Sequence, residues 1–294
     1  MRDPVRHVSV LALLQAHPGR HDARELIRTL ARAKVAAAMS KGWTGPPFCP
    51  HELCSLFGIR CREVQHDIGG EGRLLLRKGG PWIEYRCDRP PERQRFTIFH
   101  EFAHTLFPDY CEFVRHHANE DLSKADTEFE NLCDVAAAEM LFPSTEFCRD
   151  LASGKLTLAA LHELRRLYGA SLDATTHRAV ECEPTVPCAA AFLTDQRGAF
   201  SGGGPLWVKY ARHGRLFHGF VWPGTEPPAG SVAIACYQTA DGLISQHRET
   251  WVVRGRRYPV LAEAAKLPPV PSDPAYSKVV TLLVQNPERE TLRG

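Results

Sequence analysis

The segment around His100 constrains this chain more than any other part of its sequence. Residues 95–107 read Arg-Phe-Thr-Ile-Phe-His-Glu-Phe-Ala-His-Thr-Leu-Phe, an apolar run that carries two histidines four positions apart. Four residues make about one helical turn, so His100 and His104 project from one face and can offer two imidazoles to one zinc ion. Glu101 leaves the helix beside them, where its carboxylate can take a proton from an attacking water. The pattern therefore predicts a helix over residues 92–107 that carries a catalytic metal site.

A catalytic zinc site needs a third protein ligand and keeps one position open. A second long helix, predicted over about residues 125–142, supplies two candidates, Glu130 and Glu139. These two glutamates are nine positions apart. At ~100° per residue they therefore face roughly opposite ways. Only one of them can reach the metal, and the periodicity does not say which.

Taken together, these two segments resemble the ImmA/IrrE family of zinc peptidases, whose motif runs RFTxxHExxH and then, after a variable loop, ExxANxFAxxLLxP. The first part stands here at residues 95–104 and the second at residues 130–143, and the resemblance covers roughly residues 20–180. The chain departs from the motif at Cys133-Asp134, where Ala-Asn is usual, and at Ala136, where Phe is usual. These departures can alter the packing around the site, but they do not touch the ligands.

The resemblance makes Glu130 the third ligand beside His100 and His104, with zinc as the cofactor. It makes Glu101 the general base and leaves Glu139 as a helix-surface residue. Members of this family cleave helix-turn-helix repressors, which switches on DNA-damage, mobile-element or phage-defence genes. The resemblance therefore implies an endopeptidase whose partner is such a repressor, cut at an exposed extended segment.

A rival interpretation is a regulator whose zinc site is structural and which binds a repressor or DNA without cutting anything. Glu101 discriminates between the two, because a structural site needs no acidic general base between its ligands. A broad degradative protease is disfavoured, because nothing in the sequence suggests secretion or a pro-segment.

Two cysteines lie near the expected metal and raise the question of inhibition. Cys133 shares a helix flank with Glu130, and Cys111 lies seven residues after His104, just past a predicted turn. A thiolate is a strong zinc ligand, so a cysteine in the open fourth position would displace the hydrolytic water and inhibit the enzyme. Cys111 is the better candidate for this inhibitory fourth ligand, because a loop can swing while a helix cannot. The alternative is a thiol that is only a small apolar side chain.

Upstream of these helices the pattern predicts two helices and three short strands. Asp22 is a candidate N-cap for an amphipathic helix that runs to Met39, and Gly58 is a candidate C-cap for a short helix that begins at Pro50. The strand-like runs are residues 59–64, 73–76 and 82–85. The last run is either an ordinary strand or an edge that pairs with a substrate backbone. Residues 1–143 are thus expected to form an α+β domain, zincin-like by resemblance.

The rest of the chain divides into two parts, with a boundary near residues 183–188. Residues 144–183 keep a helical pattern and form a helical connector that is helix-turn-helix-like. We expect this connector to pack against the peptidase core and not to bind DNA, because Arg165-Arg166 supplies little positive charge for contacts with DNA phosphates. Beyond Pro184 the pattern becomes β-rich, and the resemblance implies a GAF-like sensor domain over residues 184–294. Its predicted strands are residues 189–194, 206–210, 216–222, 231–237 and 249–253.

The composition indicates in which cellular compartment the protein works and which classes of partner it can have. The ten cysteines include no CxxC pair, which favours reduced thiols in the cytoplasm. An apolar run near the N-terminus is too short to span a membrane, so no membrane partner is expected. Net charge is +2 for the whole chain, but residues 184–294 carry 12 Lys/Arg against 8 Asp/Glu. This mild positive charge and the β-rich pattern predict a signal that is a small molecule or a single-stranded nucleic acid.

Overall fold

The computed structural model describes residues 7–111, 124–195, 206–239, 242–268 and 278–285. The chain divides into two compact units. The first comprises Met1–Glu146 and Arg166–Ser171, and the second comprises Phe147–Arg165 and Leu172–Gly294. The chain therefore passes from one unit to the other three times. The division into residues 1–143, 144–183 and 184–294 stays a prediction.

The helices begin and end at local sequence features. They are α1 (Val8–Gln15), α2 (Ala23–Met39), α3 (Pro50–Leu56), α4 (Pro91–Ala103), α5 (Lys124–Leu141), α6 (Ser144–Ala152), α7 (Leu158–Tyr168), α8 (Leu172–Cys182) and α9 (Val232–Gln238). Asp22 caps α2 as predicted, because its side chain accepts hydrogen bonds from the backbone N–H groups of Arg24 and Glu25. Gly58, with φ +72°, follows α3 in the left-handed conformation that a helix end favours. Helix α1 was not predicted.

A small mixed sheet belongs to the first unit. Its strands are β1 (Arg60–Val64), β2 (Gly72–Arg77) and β3 (Gly80–Arg86), in the order β1-β3-β2. Strand β3 lies in the centre, parallel to β1 and antiparallel to β2. Residues 82–85 are therefore an ordinary central strand, and the alternative that they form a substrate-pairing edge is wrong. The central strand is bonded on both sides and has no free edge to offer.

Helix α4 is held between this sheet and helix α5, since it packs against β2, β3 and α5. Phe99 and Phe102 on α4 and Phe129 on α5 are fully buried. Each such side chain contributes roughly 1.5–3 kcal/mol when it leaves water. The predicted helix over residues 92–107 is α4 followed by one 3-10 turn, His104–Leu106. These contacts fix where the polar side chains of α4 can point.

The second unit contains an antiparallel sheet of five strands. They are β4 (Cys188–Thr194), β5 (Trp207–His213), β6 (Leu243–Val253), β7 (Arg256–Lys266) and β8 (Val279–Gln285), in the order β5-β4-β8-β7-β6. The strands predicted at 189–194, 206–210 and 249–253 are confirmed as β4, β5 and part of β6. A core that includes Trp251, Val260 and Leu283 lies on one face of the sheet, and α9 packs there.

One predicted strand of this region is a helix. Residues 232–237 of this run belong to α9, and Ser231 is its N-cap, since its hydroxyl accepts a hydrogen bond from the backbone N–H of Ile234. Val232, Ala233 and Cys236 are then buried at helical spacing. A short apolar run fits either structure, and the cap favours the helix.

Another predicted strand, residues 216–222, is an irregular loop, and two strands were missed. Gly219 has φ +131°, and a Cβ there would overlap the ring of Tyr258, so the loop packs closely against β7. The sequence pattern does not predict strand β7, because the strand begins with two arginines and contains Pro259. It does not predict strand β8 either, because a strand buried along most of its length shows no alternation. No helix in the described part of the chain could span a bilayer.

Candidate metal centre

The two histidines of the motif lie side by side at the end of α4. His100 lies in its last turn, and His104 begins the 3-10 turn that follows. Their ring centroids are 5.2 Å apart. Among the described residues, one group of ligand atoms lies mutually within 4.8 Å, and it comprises His100, Glu101 and His104. The helical spacing therefore brings these three side chains together, as the sequence predicts.

Helix α5 places two carboxylates against His100. Glu130 Oε2 lies 2.8 Å from His100 Nε2, and Asp134 Oδ1 lies 2.9 Å from His100 Nδ1. Both ring nitrogens of His100 thus face a carboxylate from the same helix, one turn apart. Glu130 was predicted as a ligand. Asp134 was not singled out as a site residue, although its four-residue spacing from Glu130 and its departure from the family motif marked the position.

Glu101 is held by strand β2. The carboxylate is buried, and the backbone N–H of Leu74 donates a hydrogen bond to it. Gly72 lies against the same side chain, where a Cβ would be 3.1 Å from Glu101 Oε1 and 2.5 Å from Thr97 Cγ2. Gly72 is therefore needed for close approach of the strand to the motif. The sequence shows a Gly-rich turn at this point but not what the glycine faces.

The site strongly favours positive charge at His100. Burial alone would lower the pKa of His100, but hydrogen bonds to Asp134 and Glu130, together with the charge of Glu101, raise it to about 10. Burial and the charge of His100 lower the pKa of His104 to about 4. Burial also raises the pKa of Glu101 to about 7, although the charge of His100 opposes this.

These residues fit a zinc ion. Two imidazoles and a carboxylate are a donor set that catalytic zinc sites use. The carboxylate of Glu130 faces Nε2 of His100 at 2.8 Å, and the ring of His104 lies beside that of His100. His100, His104 and Glu130 would hold the metal, and Glu101 would be left beside it with a free carboxylate.

Glu139 lies away from this group and is buried, so its expected place on the helix surface is wrong. Its Oε1 accepts hydrogen bonds from the backbone N–H of Ser144 at 3.0 Å and from the Ser144 hydroxyl at 2.5 Å. The guanidinium of Arg32 on α2 approaches the same oxygen at 3.4 Å. Glu139 therefore anchors the start of α6.

The two cysteines considered as inhibitory ligands differ in their surroundings. Cys133 is fully buried on α5, and burial raises the pKa of its thiol well above the usual value. Cys111 is half-buried, and its hydrogen bond with the hydroxyl of Tyr110 raises the pKa of that tyrosine. Neither thiol belongs to the group of mutually close ligand atoms found in the described residues. The role of Cys111 as a fourth ligand stays a prediction.

Comparison with known proteins agrees with the motif. Residues 54–180 match the family model described as the IrrE N-terminal-like domain, Peptidase_M78. This part of the chain belongs to the ImmA/IrrE family. The IrrE-type domain includes β1 to β3, α4, α5 and the whole candidate metal centre, and it is a metallopeptidase domain by family.

One curated relative and one solved structure extend this comparison. The chain is 32% identical over 116 residues to the radiation response metalloprotease IrrE of Deinococcus deserti, a match that covers 39% of this chain and 41% of that relative. The chain thus matches less than half of the length of that relative. A Mycobacterium tuberculosis transcriptional regulator shares the fold, with a TM-score of 0.58 at 16% identity over 87% of this chain and 88% of the other.

Proposed function

We propose that this protein is a zinc-dependent endopeptidase that cleaves a partner helix-turn-helix transcriptional repressor and so derepresses stress, mobile-element or phage-defence genes. The observation that carries the proposal is the convergence of His100, Glu101 and His104 from one helix with Glu130 from another. The repressor as substrate is supported by the resemblance to the ImmA/IrrE family. A cytoplasmic location is supported by ten cysteines that are all free thiols.

The proposed chemistry divides the roles among four side chains. His100, His104 and Glu130 hold the zinc, which when bound supplies Lewis-acid polarisation of the scissile carbonyl. Glu101 accepts a proton from the attacking water on its carboxylate and hands it to the nitrogen of the leaving amine. The hydrogen bond from the Leu74 backbone orients Glu101 for both transfers.

The substitution Glu101→Gln tests this assignment. The amide keeps the size of the side chain but cannot accept the proton, so the variant should retain zinc at the wild-type stoichiometry and lose cleavage by at least 100-fold (~10²–10⁴ for a general base). Metal analysis and co-expression with a helix-turn-helix protein encoded nearby give the two readouts. His104→Ala serves as the opposite control and should lose both zinc and cleavage.

Two results would favour other interpretations. If Glu101→Gln still cleaves the partner, the assigned mechanism is wrong. If the wild-type protein binds zinc and the repressor but cuts nothing, the protein is the non-catalytic regulator whose zinc site is structural.

For the second unit we propose a GAF-like sensor preceded by a helix-turn-helix-like connector. Its five-stranded antiparallel sheet and the helices α7 and α8 are compatible with these parts. The candidate signals are a small molecule and a single-stranded nucleic acid, and the surface favours the second. Phe220 is 44% exposed and Trp222 is 39% exposed, with their rings 4.3 Å apart, and the guanidinium of Arg254 lies 4.1 Å from the Trp222 ring. Exposed aromatic rings beside arginine are what stacked bases and phosphates require.

A further inference from the structure

We propose that Asp134 is a positioning residue that fixes the tautomer and orientation of His100 for metal binding, a role that rests on the proposed zinc site. The carboxylate lies 2.9 Å from His100 Nδ1, on the side of the ring opposite to Glu130. The motif of the family has an asparagine here, so the carboxylate is a property of this chain.

The chemistry of the contact sets the tautomer. An ionised carboxylate only accepts hydrogen bonds, so the ring nitrogen that faces Asp134 must carry the proton. Nε2 faces the Glu130 carboxylate in the same way, so it also donates a hydrogen bond in the metal-free site. A zinc ion would take the place of the proton on Nε2, and Asp134 would then keep the remaining proton on Nδ1. An asparagine at the same place could turn either its oxygen or its NH₂ group to the ring, so it would not dictate this tautomer.

The charge of Asp134 adds a second effect. A carboxylate hydrogen-bonded to the outer nitrogen of a metal-binding imidazole makes the ring a stronger ligand. Glu130 and Asp134 are one turn apart on α5, so the same rigid helix delivers the third ligand and the group that orients the first.

The surroundings of Asp134 argue against a purely structural role. Its side chain is 53% exposed, and His100 is its only hydrogen-bond or ion-pair partner among the described residues. The Asp134 end of this contact is open to solvent, and solvent screening keeps the contribution of such a contact to folding small. Its effect should therefore fall on the metal and not on the stability of the domain.

Zinc affinity of the full-length protein, measured by competition with a chromogenic chelator, tests the proposal. Asp134→Ala should weaken zinc binding by about 10–100-fold, the usual effect of losing such an outer partner. The zinc affinity of Asp134→Asn should lie between those of Asp134→Ala and wild type, because its amide oxygen can still accept a hydrogen bond from Nδ1. Glu128→Ala, which removes a carboxylate elsewhere on α5, should stay within about twofold of wild type. Circular dichroism of the metal-free variants should show unchanged helix content.

The outcomes separate this inference from the proposed function. If wild type binds zinc tightly and Asp134→Ala binds it equally well, Asp134 does not position His100. If Glu128→Ala weakens binding as much as Asp134→Ala, a general loss of negative charge explains the effect and the inference is wrong. If wild type itself binds no zinc, the proposed function as a zinc peptidase is wrong, and the inference that rests on it is wrong as well.

Discussion

Gly72 and Glu101 are in direct contact, since a methyl group on the glycine would lie 3.0 Å from Glu101 Cγ and 3.1 Å from its Oε1. Two positions along the same strand, the backbone of Leu74 donates a hydrogen bond to that carboxylate. Strand β2 therefore determines where the proposed general base points. Space beside the carboxylate and Thr97 therefore favours glycine at position 72.

Replacing this glycine should damage the chemistry without removing the metal. In Gly72→Ala the new Cβ would lie 2.5 Å from Thr97 Cγ2, so the strand or Glu101 must shift. We expect cleavage to fall by roughly 100-fold, the effect of a misplacement of about 1 Å, with zinc retained. Gly70→Ala is the matched control, because its nearest heavy atom outside its chain neighbours is at 3.6 Å. Equal activity of the two variants would contradict the role of Gly72.

Glu139 should matter for stability and not for the metal. Glu139→Ala removes the hydrogen-bond acceptor for Ser144 and the ion-pair partner of Arg32. We therefore expect the free energy of unfolding to fall by about 1–3 kcal/mol, with the zinc content unchanged. Thermal unfolding and metal analysis measure the two effects, and Glu139→Gln should recover part of the loss. A zinc-free Glu139→Ala that remains folded would reassign the third ligand from Glu130 to Glu139.

The inhibitory role predicted for Cys111 is tested without any inducing signal. If its thiolate takes the open ligand position, Cys111→Ser should cleave the repressor unprompted, whereas wild type should not. A crystal structure of the resting protein should then show sulfur about 2.3 Å from zinc. Cys133→Ser is the control, because that thiol is fixed and buried on α5. A water at the fourth position, with no gain of activity in Cys111→Ser, would end the idea.

The aromatic pair of the second unit should bind single-stranded nucleic acid. Trp222→Ala removes a stacking surface, for which a loss of about 1–3 kcal/mol per base is usual. We therefore expect the dissociation constant for a labelled oligothymidylate, measured by fluorescence anisotropy, to rise 5- to 150-fold. Arg254→Ala should weaken binding and flatten its dependence on salt. Leu167→Ala, at an exposed apolar residue of α7, should change nothing. Binding that is equal in all four proteins would leave a small molecule as the candidate signal.

Local chemistry explains which parts of this fold could be predicted. Asp22 and Gly58 act on neighbouring residues of the chain, so the ends of their helices could be predicted from the sequence. The motif helix was likewise predictable, because the spacing of His100 and His104 is a local property. These features need no knowledge of the rest of the fold.

The errors at the candidate site concern the surroundings that the fold gives to each side chain. Periodicity places Glu139 on the side of α5 away from Glu130, but only the fold shows that Arg32 and Ser144 meet it there. The partner of Gly72 could not be predicted for the same reason, because Glu101 lies 29 positions away. Asp134 could be predicted only through its spacing from Glu130 and its departure from the family motif.

The three passages of the chain between its two units have a consequence for protein engineering. Phe147–Arg165 and the segment that begins at Leu172 belong to the same unit, although Arg166–Ser171 between them belongs to the other. A cut near residue 183 would separate Phe147–Arg165 and α8 from the sheet of their own unit, so a truncated protein would have a damaged fold as well as no proposed sensor. Exchange of the second unit between relatives would require a junction at residue 146 and a replacement for Arg166–Ser171.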